Sequence, residues 1–84
     1  MKPAEIILNV AVNLGRIGRF ASEGRQARLQ QFLSETKEYV RQLHHLPIPP
    51  RFTKTQSQFE KWLDGVGPEV DPEEAYTWAN ILTH

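Results

Sequence analysis

The chain has 84 residues, no cysteine, and ten Lys+Arg against ten Asp+Glu, for a formal net charge of zero. That length holds at most one domain with a single, marginal core, and the absence of cysteine excludes a disulfide framework, a thiolate nucleophile and a cysteine-based zinc site. A hydrophobic share of 39% with two Trp, two Tyr and four Phe is enough for such a core, while balanced charge gives polyanion binding no general support.

The first predicted helix runs from Ala4 to about Ser22, with Pro3 in the first turn, where a missing N–H costs nothing. At about 100° per residue, Ile6, Ile7, Val10, Leu14, Ile17 and Ala21 share one side. Leu8, Ala11, Val12, Gly15 and Gly18 carry the non-polar surface round the next side, leaving Glu5, Asn9, Asn13, Arg16 and Arg19 as a polar strip. A helix apolar around most of its girth has neighbours on two sides. This one is therefore expected to be central, gripped by the rest of the chain and by a second copy of it. The small residues Ala11, Gly15 and Gly18 would let another backbone come close, and each glycine costs the helix about 1 kcal/mol against alanine unless packing requires it.

Ser22-Glu23-Gly24 is the predicted corner, since glycine readily takes the left-handed conformation that ends helices. A single rod through Gly24 is the competing reading, but it would put Arg25 and Arg28 on the core stripe. The second helix, Arg25–His45, has one apolar stripe at helical spacing: Leu29, Phe32, Leu33, Thr36, Tyr39, Val40, Leu43 and Leu46. Gln30, Gln31, Ser34, Glu35, Lys37, Glu38, Arg41 and Gln42 cover its wet side. The expected result is an antiparallel hairpin over about residues 4–45.

Residues 46–52, with prolines at 47, 49 and 50, read as an extended crossover beneath which Ile48 and Phe52 tuck. A short helix over about 53–64, starting at Thr53 or Thr55, then carries Phe59, Trp62, Leu63 and Val66 on one face until Gly65-Val66-Gly67-Pro68 stops it. The last helix, about 72–83, opens on Asp71-Pro72-Glu73-Glu74: an N-cap, a proline at the first position and acids in the first turn. Ala75, Trp78, Ala79 and Leu82 form its apolar face, with Tyr76 and Ile81 also needing cover. The expected fold is all-α, a small helical bundle in which two short helices pack back on a long hairpin.

No residue pattern points to catalysis. Adjacent His44 and His45 diverge by about 100° on a helix and do not converge on one metal ion, as an i, i+4 pair would; a helix C-terminus suits them without one. Glu69, Asp71, Glu73 and Glu74 lack the spacing of a calcium loop, and capping explains most of them. Gly15-Arg16-Ile17-Gly18-Arg19 lacks the lysine and hydroxyl of a phosphate loop. The PxxP in Pro47-Ile48-Pro49-Pro50 reads as a rigid connector before it reads as an SH3-type ligand. No enzyme activity, catalytic residue, metal or cofactor is expected.

Two features suggest partners. The flank Leu8, Ala11, Val12, Gly15 and Gly18 is the candidate interface for a homodimer or another protein, because two short C-terminal helices offer limited cover. Arg16, Arg19, Arg25 and Arg28 would gather at the hairpin tip, a candidate anion site for nucleic acid or another polyanion. With only Phe20 among them, these arginines offer little base stacking. Residues 1–51 carry a net +4 and residues 52–84 a net −4, so the halves are complementary within or between chains. No run approaches the ~20 apolar residues of a membrane span. Glu5, Asn9 and Asn13 interrupt any signal-like stretch, so the cytoplasm is the expected location.

Overall fold

The computed structural model describes residues 2–67 and 69–83. Four helices follow in chain order: α1 (Pro3–Glu23), α2 (Gln26–Leu43), α3 (Pro50–Gly65) and α4 (Pro72–Thr83), with no strand among the described residues. The fold is the expected all-α bundle.

Helix α1 starts at Pro3, and the Glu5 carboxylate accepts the Lys2 backbone N–H at 3.4 Å. It ends at Gly24, which has φ 69° and ψ 22°. The Gly24 N–H donates to the Ala21 carbonyl at 3.3 Å and the Arg25 N–H to the Phe20 carbonyl at 2.9 Å. That pair of reversed bonds is the Schellman closure, which needs a left-handed residue at its centre. The corner is therefore a turn and not a through-running rod, and α2 folds back along α1.

Ile6, Val10, Leu14 and Ile17 from α1 join Leu29, Leu33, Val40 and Leu43 from α2 in the core. At the corner, Phe20 and Phe32 stack with centroids 5.6 Å apart. Thr36 lies fully buried on the α2 stripe, its hydroxyl donating to the Phe32 carbonyl at 2.7 Å, so no donor is stranded. Asn13 departs from its expected place on the polar strip. It is 2% exposed, and its Nδ2 donates to Glu35 Oε1 of α2 at 3.2 Å. The pair replaces water with an internal partner, which makes burial of the amide tolerable.

The C-terminal half differs from expectation at two boundaries. Helix α2 ends at Leu43, and His44, His45 and Leu46 continue as tight turns through N–H donation to carbonyls three residues back. The extended crossover is also shorter, because α3 begins at Pro50 and includes Arg51 and Phe52. Proline fits the first turn of a helix, so Pro50 opens α3 instead of blocking it. Helix α3 stops at Gly65, within the expected Gly65-Val66-Gly67-Pro68 stretch, and the backbone is extended at Val66; Pro68 itself lies outside the described residues.

Helix α4 starts as its sequence dictates. Asp71 Oδ1 accepts the Glu73 N–H at 2.9 Å, and the Asp71 carbonyl accepts the Ala75 N–H at 3.2 Å. It lies close along α1, as α2 does. Tyr76 meets Gly18 near one end of α1, while Leu82 lies beside Ile7 and Val10 near the other, so α4 runs antiparallel to α1. Helix α3 reaches the core through large side chains. Phe59 and Leu63 are buried, and Phe59, Trp62 and Trp78 form a ring cluster with centroids 5.3 to 6.3 Å apart. The Trp62 indole N–H donates to Glu74 Oε2 at 2.6 Å, linking α3 to α4.

Candidate interaction face

The apolar girth of α1 divides into two unequal parts. Ile6, Val10, Leu14 and Ile17 go into the core, and Ala11 and Gly18 are buried beside them. Gly18 is covered by α4: a Cβ placed there would lie 2.7 Å from the Tyr76 ring. Two of the five predicted interface residues, Ala11 and Gly18, are thus already occupied within the chain.

The other three form an open face. Leu8 is 57% exposed and Val12 46% exposed. Gly15 is half-buried, yet a Cβ there would meet nothing within 4 Å, so the glycine leaves an unfilled notch. Leu8, Val12 and Gly15 follow one another at spacings of four and three, and Glu5 and Arg19 extend the same line at either end. This stripe, Glu5-Leu8-Val12-Gly15-Arg19, is the outer surface of the most deeply embedded helix. Elsewhere, Tyr76 and Ile81 of α4 remain 42% and 45% exposed, so the rest of the chain gives them less cover than expected, although the Tyr76 ring packs on Gly18. With twelve residues, α4 has one face to spend, and Ala75, Trp78, Ala79 and Leu82 use it.

The four arginines occupy one end of the hairpin, and three of them make contacts within the chain. The Arg16 guanidinium lies 5.3 Å over the Phe32 ring and that of Arg19 4.8 Å over Phe20. Such exposed cation–π contacts are worth about 0.5–1 kcal/mol each. Arg25 Nε pairs with Glu23 at 3.1 Å. Arg28 is exposed and makes no ion pair among the described residues.

Among the remaining chemical candidates, His44, Asp71 and Glu74 have structural partners. His44 Nε2 contacts Glu60 Oε1, tying the end of α2 to α3. Asp71 caps α4 and Glu74 holds the Trp62 indole. No group of three His, Cys, Asp or Glu side chains is placed to hold a metal ion among the described residues. Nor is any described helix long and apolar enough to cross a membrane.

One feature escaped sequence reasoning, an apolar cavity of about 40 Å³ at the open end of the hairpin. Its lining includes Ile7, Val10, Leu43, Ile48, Phe52 and Leu82. The apolar positions Ile48 and Phe52 in the crossover were the signal, but a gap between five separate segments is visible only once they are assembled. No family model matches the chain, and neither a curated protein nor a solved structure is significantly similar to it.

Proposed function

We propose that this chain is a small, non-catalytic protein-interaction module that works by self-association, with the outer stripe of α1 as its contact face. The observation that carries the reading is the exposure of Leu8 and Val12, at 57% and 46%, on adjacent turns of the central helix beside the open Gly15 notch. Neighbouring apolar side chains left in water at a site of small residues favour contact with another surface. A closed two-fold dimer is the commonest way for a chain to supply one. The lack of cysteine supports a reducing compartment such as the cytoplasm.

Solution molar mass against concentration tests this. The parent chain is expected to reach dimer mass by high micromolar concentration. Leu8→Glu and Val12→Glu should each stay monomeric with helix content unchanged, because both side chains lie outside the core. A parent chain that is still monomeric at high micromolar concentration would overturn the reading.

Polyanion binding through the arginine tip is the weaker alternative. Arg25 is already paired with Glu23, while Arg16, Arg19 and Arg28, whose charge no carboxylate of the described residues meets, favour it. Binding to an oligonucleotide that falls steeply with added salt would support it.

A further inference from the structure

The stripe on α1 has a polarity that specifies how a second copy would sit on it. We propose that two chains pair α1 against α1 in antiparallel sense, about a two-fold axis close to Val12. This rests on the self-association reading above and adds its geometry.

Glu5, Leu8, Val12, Gly15 and Arg19 follow the three-and-four spacing of a coiled-coil seam. In such packing each knob enters a hole bounded by four residues of the facing helix. An antiparallel register that seats Leu8 in the hole formed by the partner's Val12, Gly15, Arg16 and Arg19 also seats Val12 in the hole formed by the partner's Leu8, Ala11, Val12 and Gly15. The two requirements agree on a single register. The larger apolar knob, Leu8, falls on the unfilled notch at the partner's Gly15, where nothing lies within 4 Å of a Cβ position.

Charge selects the same arrangement. That register sets Glu5 opposite the partner's Arg19, twice per dimer by symmetry. Both residues are exposed; Glu5 also accepts the Lys2 backbone N–H and Arg19 lies over the Phe20 ring, and neither has an ion-pair partner within its own chain among the described residues. A parallel pairing would instead put Glu5 beside Glu5 and Arg19 beside Arg19. Antiparallel α1 helices also oppose their dipoles favourably. The seam spans only about four turns, at the small end of specific interfaces, which fits an assembly that forms in the micromolar range.

Two experiments on the full chain decide the register. Glu5→Arg and Arg19→Glu are each expected to weaken dimerisation about tenfold, since symmetry repeats each repulsion. An equimolar mixture of the two variants should recover the parent affinity as a heterodimer, because each carries the charge the other lacks. Independently, the absence of native cysteine allows single-cysteine cross-linking. Val12→Cys should cross-link to its own copy under mild oxidation, the two residues being nearly level across the axis. Leu8→Cys should not, because the two copies of that position lie about 11 Å apart along the seam, beyond the ~7 Å that a disulfide spans.

If the parent dimerises but Leu8→Cys cross-links as readily as Val12→Cys, or the charge-swapped mixture stays weak, the antiparallel register is wrong while self-association stands. A monomeric parent at high micromolar concentration overturns both.

Discussion

Gly24→Ala is the most direct probe of the hairpin corner, and Gly15→Ala is its control. At Gly24 the backbone has φ 69°, and a Cβ built there would meet nothing within 4 Å. The substitution therefore causes no clash with another element, and its effect comes from the backbone alone. A left-handed alanine is disfavoured by about 1–2 kcal/mol. The unfolded chain offsets part of that cost, since alanine loses less freedom on folding than glycine, by about 0.4–1 kcal/mol. The net expectation is a loss of about 1 kcal/mol. At Gly15 the backbone is ordinary helix and the space beyond it is equally open. There alanine is the better residue by about 0.8–1.0 kcal/mol. For a domain of this size, 1 kcal/mol moves Tm by about 4–8 °C. Thermal unfolding followed by far-UV circular dichroism, at low micromolar concentration so that association does not add stability, should show a drop for Gly24→Ala and a rise for Gly15→Ala. A Gly24→Ala protein as stable as the parent, or more so, would refute the left-handed corner and favour a helix that runs through it.

Two further outcomes follow from other parts of the fold. Leu14→Ala should destabilise the protein by about 2–5 kcal/mol in urea unfolding, because Leu14 is fully buried in the core, whereas Leu8→Ala should shift monomer stability by no more than about 0.5 kcal/mol. Asp71→Ala should cost about 1 kcal/mol by removing the acceptor for the Glu73 N–H, and Asp71→Asn should retain most of that stability; equal losses for the two would show that the cap contributes through charge instead.

Local chemistry determined much of this protein without help from the tertiary structure. Asp71-Pro72-Glu73-Glu74 starts a helix because its cap, its fixed φ and its first-turn acids act within one turn, and α4 begins there. Gly24 ends α1 for an equally local reason, the freedom of glycine at positive φ. The stripe from Leu29 to Leu43 could be read from its period alone. Residues whose fate depends on a distant neighbour were another matter. Asn13 looks like a solvent residue until Glu35 of α2 offers it a hydrogen bond. Gly15 and Gly18 look alike on the helix, yet Tyr76 of α4 covers one and leaves the other open. Pro50 suits either an extended segment or the first turn of a helix, and here it opens α3, the Phe52 N–H donating to the Pro49 carbonyl at 2.9 Å. Periodicity tells which side chains share a face of a helix, because that depends on bonds a few residues long. Which faces meet each other, and which remains in water, depends on how the helices divide a limited core between them, and only the assembled structure decides that.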